Sequence, residues 1–328
     1  MLSNDIIKEM KPPYTITENI LQLVVSISEK LGEINATHLH KPPTELRKKN
    51  RIKTIQASLE IEGNTLTEEQ ITALLNNKRV LAPQKDIVEV NNAIKVYEQL
   101  DSFKPSKLKD LKKAHGILMQ GLVEDAGELR VKNVGIVKGN KVEHIAPSGT
   151  MVTGLMNDLF TYLKEDKDIL LIKSCVFHYE FEFIHPFIDG NGRMGRLWQT
   201  LILMQQYPVF EYLPVELLIK ENQKEYYNAL GKSDKLGHST PFIEFMLGII
   251  LQSLEQLLNS QNRTLTVKDR IELFKDKIED AEFSRKDYLQ NFKGIKQATA
   301  SRDLKWAVDE NILLKFGNNR LTKYKYNS

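Results

Sequence analysis

The chain has 328 residues, of which 41% are hydrophobic, and a formal net charge of +3. This length predicts about two domains, and the single cysteine, Cys175, excludes an intramolecular disulfide and suits a buried structural thiol. No signal peptide is recognisable at the N-terminus, and no apolar run reaches the roughly 18 residues of a membrane span. We therefore expect a cytoplasmic protein, with too little net charge to imply a polyanion partner for the whole chain.

Hydrophobic residues recur at helical spacing along most of the chain, which predicts an all-α fold. Ile20, Val24, Ile27 and Leu31 mark the first helix, and Thr67 to Gln70 resemble a capping box. Further helices are predicted at about 86–101, 106–121, 149–165, 168–183, 192–206, 220–231 and 239–260.

The stretch 130–146 breaks the helical pattern. β-Branched residues alternate on both sides of Gly139 and Asn140, which predicts a β-hairpin. Because a lone two-stranded hairpin is only marginally stable, we interpret it as a flap on a helical protein, with a role in the core as the alternative.

The last sixty or so residues follow a polar linker at 261–266. A short helix is predicted from Ser284 to Tyr288, a second helix at 297–308, and a strand, turn and strand at 312–324. This order of elements is typical of a winged helix.

One short segment combines glycines with arginines at the start of a predicted helix. Gly190, Asn191 and Gly192 directly precede apolar helical residues, where backbone N–H groups and the helix dipole favour an anion. Arg193 and Arg196 fall in the first turn, where arginine is unfavourable unless an anion lies nearby. Their guanidinium groups match phosphate oxygens.

Two further functional groups precede these glycines. Asp189 offers the hard oxygen ligand that suits a Mg²⁺ ion bridging phosphates, and His185 can accept a proton near neutral pH. Together with the anion site, they indicate phosphoryl or nucleotidyl transfer. The alternative is a simple turn with a structural histidine and solvated arginines, which would not gather so many functional groups within a dozen residues.

The segment from Ile184 to Arg196 resembles the signature H-x-F-x-D/E-G-N-G-R-x-x-R of the Fic (filamentation induced by cAMP) family, and every specified position is filled. The resemblance implies a helical core with a hairpin flap, and transfer of AMP from ATP to a Ser, Thr or Tyr hydroxyl of a protein. It also implies a division of the chain into a Fic region at 1–264, with its core at about 86–260 and its flap at about 130–146, and a winged-helix module at 265–328.

The resemblance implies a role for each residue of the motif. His185 would deprotonate the target hydroxyl, Asp189 would hold Mg²⁺, and Phe187 would pack beneath the loop. The phosphates would be bound by Gly190, Asn191 and Gly192 at the α-phosphate, and by Arg193 and Arg196 at the β- and γ-phosphates.

Two further regions have roles by the same resemblance. The flap around 134–142 would align a target segment by strand pairing. Tyr227 and Asn228 lie where similar proteins have residues near the adenine, although a helix that simply packs Tyr226 and Tyr227 is an equal alternative.

A second segment resembles the inhibitory motif S/T-x-x-x-E-G/N that precedes the core in one class of the family. Ser58 and Glu62 share one helix face, and Gly63 suits the residue after a helix end. A glutamate in the last turn opposes the helix dipole unless a cation faces it. The resemblance implies an inhibitory helix at about 44–63 whose Glu62 pairs with Arg196; a merely solvated glutamate is the alternative.

The C-terminal region is basic, with ten Lys or Arg against five Asp or Glu from residue 282 on. Candidate DNA contacts lie on the second helix and the hairpin: Thr299, Ser301, Arg302, Lys305, Lys315, Arg320, Lys323 and Lys325. Against DNA binding, we expect Asp303, Asp309 and Glu310 to repel phosphates, and many winged helices bind protein instead.

Three functions stay open on this reasoning. The leading one is an adenylyltransferase, autoinhibited through Glu62, with ATP, Mg²⁺ and a target protein as partners. The second is a DNA-binding regulator whose Fic core senses nucleotide, although a pure sensor needs no base such as His185. The third is a Fic enzyme that uses another donor or removes AMP. A homodimer is a further candidate assembly.

Overall fold

The computed structural model describes residues 11–36, 44–138, 141–261, 266–278, 281–292, 295–317 and 322–327. These residues are mainly helical, with two short antiparallel sheets. They form two compact units. The first unit contains the described residues up to Leu257 apart from 44–47, and the second contains 44–47 and the described residues from Leu258 on. The division after Leu257 comes slightly before the boundary at 264/265 that the sequence suggested.

Helices make up most of the first unit. In chain order they are α1 Glu18–Ala36, α2 Thr44–Glu60, α3 Glu68–Leu75, α4 Gln84–Tyr97, α5 Leu108–Leu118, α6 Gly149–Glu165, α7 Leu170–Ile184, α8 Asn191–Met204, α9 Val215–Glu221, α10 Gln223–Leu236 and α11 Thr240–Gln261. The capping box of α3 is present, since Thr67 and Gln70 each bond the other's backbone N–H. The seven-residue α9 was not predicted because it is too short to show a helical period.

The core centres on α7 and α8, which pack against each other. α7 is apolar on all sides and buried along most of its length, as expected of a central helix. Phe177, Phe181 and Trp198 are among the largest fully buried side chains. Cys175 is also buried, and burial raises its thiol pKa to about 12, in line with the expected structural role.

The predicted hairpin is present between α5 and α6. Strand β1 Gly135–Lys138 pairs antiparallel with β2 Lys141–Ile145, and the register shifts between Ile136 and Val137. The predicted turn at Gly139 and Asn140 lies outside the described residues.

The second unit contains helices α12 Val267–Ile278, α13 Arg285–Asn291 and α14 Gln297–Asp309, followed by strands β3 Leu313–Phe316 and β4 Lys323–Tyr326, which pair antiparallel. Its core includes four buried aromatic side chains, Phe274, Phe283, Tyr288 and Tyr326. Helix α12 was not predicted, whereas the order of α13, α14 and the hairpin matches the sequence expectation. The winged-helix assignment stays a prediction, and Arg320 lies outside the described residues.

One expectation about this unit is wrong. Asp303 does not face solvent, where it could repel DNA, but is buried against Arg270 on α12. The two side chains form a bidentate pair, with Nε–Oδ2 at 2.6 Å and Nη2–Oδ1 at 2.9 Å. The sequence could not show this because the pairing depends on how α12 packs against α14.

The segment Thr240–Asn259 in α11 is long and apolar enough to cross a membrane, by length and composition alone. Polar residues are scattered through this segment, so it contains no long uninterrupted apolar run. Half of its most apolar window is buried inside the unit, where Phe242, Met246 and Ile250 are core residues. Since a core helix passes the same test, the segment is weak evidence for a membrane.

Candidate active site

The motif loop, residues 185–190, joins α7 to α8 through a left-handed residue at each end. His185 has φ 50° and ψ 60°, and its N–H bonds to Phe181 O at 3.0 Å, which ends α7. Gly190 has φ 84° and directly precedes α8. A Cβ atom at Gly190 would also lie 2.7 Å from Met119 Sδ. This position therefore requires glycine both for its backbone conformation and for space.

The side chain of Asn191 holds the loop closed from within. Its Oδ1 accepts from Phe187 N and its Nδ2 donates to Phe187 O, both at 2.9 Å, and the residue is buried. A primary amide provides donor and acceptor together, which explains an asparagine here. The Asn191 side chain is thus committed to the loop, so its contribution to an anion site would come from its backbone N–H.

Helix α5 supports the loop through His115. Its Nδ1 accepts from Gly127 N at 2.8 Å, so its Nε2 carries the proton and donates to Asp189 O at 2.9 Å. The ring stacks on Phe187, with centroids 3.6 Å apart and planes 5° apart. Burial lowers the pKa of His115 to about 4, so the ring is neutral at physiological pH. Phe187 packs beneath the loop as the resemblance implied.

The start of α8 is shaped to receive an anion. The first N–H groups of a helix have no acceptor within it, and the dipole is positive there. The Glu62 carboxylate approaches this point so closely that a Cβ on Gly192 would lie 2.5 Å from its Oε1. A negatively charged group thus occupies the place where the sequence predicted phosphate binding.

Arg196 is the cation that this carboxylate meets. Its Nη2 donates to Glu62 Oε1 at 2.8 Å and to Ser58 O at 2.9 Å, and its Nε donates to Ser58 Oγ at 3.2 Å. The side chain of Arg196 is 1% exposed and that of Glu62 is 30% exposed. Burial alone would lower the pKa of Arg196, but the charge and hydrogen bond of Glu62, together with Tyr226 and Glu182, offset this effect, and the pKa is raised. The predicted pairing is therefore present.

Glu62 lies two residues beyond the last residue of α2, in a turn rather than in the helix itself. Gly63 has φ 92°, as a residue after a helix end often does. The N–H of Gly63 bonds to Glu60 O at 3.0 Å, and Gln223 Nε2 donates to Ile61 O at 3.2 Å. The turn that presents Glu62 is thus fixed from both sides.

Arg193 makes a different set of contacts. Its Nη1 lies 3.1 Å from Glu89 Oε1 and its Nη2 lies 3.3 Å from Asp189 Oδ1. Arg193 and Glu89 are buried, and Asn64 Nδ2 also donates to Glu89, at 2.8 Å. The Asp189 side chain, in contrast, is 52% exposed. Arg193 is thus oriented by a buried carboxylate, while Asp189 stays accessible.

The other predicted site residues are accessible to different degrees. His185 and Tyr227 are half-buried and Asn228 is exposed. Tyr226 is a core residue whose Oη lies 3.1 Å from His178 Nε2. The structure therefore assigns Tyr226 to packing, and an adenine contact by Tyr227 and Asn228 stays a prediction.

Comparison with known proteins identifies the family. The sequence model of the Fic/DOC family matches residues 105–203. A crystal structure of a Fic family protein from Desulfovibrio desulfuricans G20 is 40% identical in sequence, with a TM-score of 0.75, over 97% of this chain and 98% of that one. The chain belongs to the Fic family. A solved structure of Fic-1 from Caenorhabditis elegans shares the fold. It is 20% identical in sequence, with a TM-score of 0.60, over 74% of this chain and 73% of that one.

Named relatives of this Fic protein include the protein adenylyltransferase fic-1 of Caenorhabditis elegans, 28% identical over 233 residues, which is 64% of this chain and 44% of that protein. The protein adenylyltransferase Fic of Drosophila grimshawi is 28% identical over 260 residues, or 74% of this chain and 51% of that protein. The chain thus spans about half the length of the curated relatives it matches.

Three residues around the Fic motif were not singled out from the sequence. His115 and Arg130 bond to the loop, and Glu89 bonds to Arg193 at the start of α8, from 55 to 104 residues away in the chain. Each is a common residue type in an ordinary helix or connecting segment, so no local pattern marks it. Only the packing of α4, α5 and the hairpin base against the loop reveals these contacts.

Proposed function

We propose that this Fic protein is an adenylyltransferase that transfers AMP from ATP to a Ser, Thr or Tyr hydroxyl of a target protein, itself included. The observation that carries the proposal is the anion site at the start of α8. Glu62 Oε1 lies against Gly192 and 2.8 Å from Arg196 Nη2, which supports an anion site at this position. The two named relatives are called adenylyltransferases, which supports AMP as the transferred group.

In this proposal His185 takes the proton of the target hydroxyl, and the hydroxyl oxygen attacks the α-phosphorus of ATP. The bond from the α-phosphorus to the bridging oxygen of the β-phosphate breaks, and pyrophosphate leaves. The backbone N–H groups at Gly190, Asn191 and Gly192 would face the α-phosphate. Arg193 and Arg196 would face the β- and γ-phosphates, where charge accumulates on the leaving group.

The residues present also fit a Mg²⁺ ion. Among the described residues no three His, Cys, Asp or Glu side chains are grouped as a metal site, and Asp189 offers a single accessible carboxylate. Mg²⁺ in nucleotide sites is commonly held by one or two carboxylates together with substrate phosphates, so one carboxylate suffices. When bound, the ion would neutralise phosphate charge.

We infer that Glu62 inhibits the transfer. Its carboxylate occupies the position in which Arg196 would otherwise meet the γ-phosphate, and two like charges cannot share one guanidinium edge without repulsion. ATP could then bind only in an orientation that does not support transfer. Helix α2 would act as an inhibitory helix, as in the N-terminally inhibited class.

The remaining assignments extend this proposal. We propose that the protein is cytoplasmic. We also propose that the C-terminal unit is a winged-helix module that contacts DNA, protein or a second copy of the chain. The burial of Asp303 removes one of the three charges that opposed DNA binding. A nucleotide-sensing regulator is less well supported than an enzyme because His185 has no role in it.

The test is to incubate wild type, Glu62→Gly and His185→Ala with labelled ATP, GTP, CTP or UTP and a cell lysate. We expect protein labelling from ATP, stronger with Glu62→Gly and absent with His185→Ala. Preferred labelling from another nucleotide would replace AMP as the transferred group, and equal labelling by His185→Ala would remove the proposed base.

A further inference from the structure

Arg130, which precedes the hairpin, binds the backbone of the motif loop. Its Nε donates to His185 O at 2.7 Å, and its Nη2 donates to Ile184 O at 3.0 Å. Its backbone N–H donates to Pro186 O at 2.8 Å. Three consecutive carbonyl groups around the left-handed turn at His185 are therefore held by one residue.

The same guanidinium group binds both ends of the hairpin base. Its Nη1 donates to Lys132 O and its Nη2 donates to Pro147 O, each at 2.7 Å. Lys132 precedes β1 and Pro147 follows β2. A further bond, from Gly149 N to Asn133 Oδ1 at 2.9 Å, closes the base beside Arg130. The loop and the hairpin thus meet at a single side chain.

The environment of Arg130 indicates a geometric role rather than an ion pair. The residue is 3% exposed, and among the described residues its side-chain acceptors are these four carbonyl oxygens. Burial lowers the pKa of Arg130. A planar guanidinium group can donate in several fixed directions at once, which the ammonium group of lysine cannot.

We propose that Arg130 is a positioning residue that fixes the hairpin and His185 relative to each other. This inference rests on the proposed function. If a target segment pairs with the hairpin edge, its hydroxyl reaches His185 correctly only while the hairpin base and residues 184–186 keep their spacing. Arg130 sets that spacing through carbonyl groups on both sides, without touching ATP or the target.

The test compares Arg130→Lys with Arg79→Lys, the same chemical change at an exposed arginine, both in the Glu62→Gly background. We expect Arg130→Lys to lower the rate of protein labelling at saturating ATP by about 100-fold, since a displacement of about 1 Å can cost that much. The Kd for ATP, measured by titration, should stay within about twofold of that of Arg79→Lys. Equal labelling rates in the two variants would overturn the proposal.

Hydrogen exchange gives a readout that does not depend on activity. In Arg130→Lys, the backbone amides of the hairpin and those of His185 and Phe187 should exchange faster together, with α7 and α8 unchanged. Faster exchange throughout α7 and α8 would show a general loss of stability and contradict a positioning role. If no variant labels any protein, the proposed function fails, and the exchange pattern still decides whether Arg130 couples hairpin and loop.

Arg130→Ala provides a second test that does not require lysine to fit. Free guanidinium chloride, at concentrations well below those that denature, should restore a measurable part of the lost labelling rate, because the ion can donate to the same carbonyl groups. Absence of rescue in a variant that binds ATP normally and melts near the wild-type temperature would count against the proposal.

Discussion

Replacing Glu62 by glutamine removes the negative charge that meets Arg196 and keeps the size of the side chain. The bond joins two charged groups at 2.8 Å, and the arginine side chain is 1% exposed. Hydrogen bonds between charged groups contribute about 1.5–3 kcal/mol. Since about 1.4 kcal/mol corresponds to a factor of ten, release of this bond should raise the labelling rate by about 10-fold to 100-fold.

The assay is the initial rate of protein labelling from ATP, and the matched control lies two residues away. Glu60 pairs with Lys220 at 2.6 Å, and both side chains are about one third exposed. Glu60→Gln therefore removes a salt bridge at the end of α2 without touching Arg196. Its rate should stay within about twofold of wild type, as expected for an exposed pair. Equal rates for Glu62→Gln and Glu60→Gln would refute inhibition through Arg196.

Three further predictions concern stability and metal. Burial raises the pKa of Glu216 to about 7, so the free energy of unfolding of wild type should fall as the pH rises from about 4.5 to 7. Measured by urea unfolding, Glu216→Gln should be more stable than wild type by up to about 3 kcal/mol at pH 8 and no more stable at pH 4.5. Because the pKa of His115 is lowered to about 4, the free energy of unfolding of wild type should also fall as the pH falls from about 6.5 to 4. This dependence on pH should be weaker in His115→Gln, and an equal dependence in both proteins would contradict a neutral His115. Chelation of Mg²⁺ should abolish labelling and leave the melting temperature unchanged, because Asp189 is an accessible single ligand; a large drop in melting temperature would indicate a structural metal instead.

The sequence was informative wherever the relevant residues are close together in the chain. The motif loop, the capping box at Thr67 and the hairpin each depend on a few neighbouring residues, and all three are present. The pairing of Glu62 with Arg196 spans 134 residues and was still predicted, because the family resemblance supplied two segments of opposite charge.

Contacts without such a pattern could not be predicted. His115 supports the loop through a ring whose tautomer is fixed by Gly127, and nothing near it in the sequence distinguishes it from any other helical histidine. Asp303 was expected on the surface because acidic residues usually are. Its burial against Arg270 follows from the packing of α12, a helix that was not predicted.

The proposed reaction transfers an adenylyl group, and not a phosphoryl group, with His185 as the base. The most direct measurement incubates Glu62→Gly with ATP labelled at either the α- or the γ-phosphate, and repeats both in the Glu62→Gly, His185→Ala double variant. We predict that the target protein retains the α-label only, and that the double variant retains neither. Retention of the γ-label by Glu62→Gly, or of the α-label by the double variant at the same rate, would contradict it.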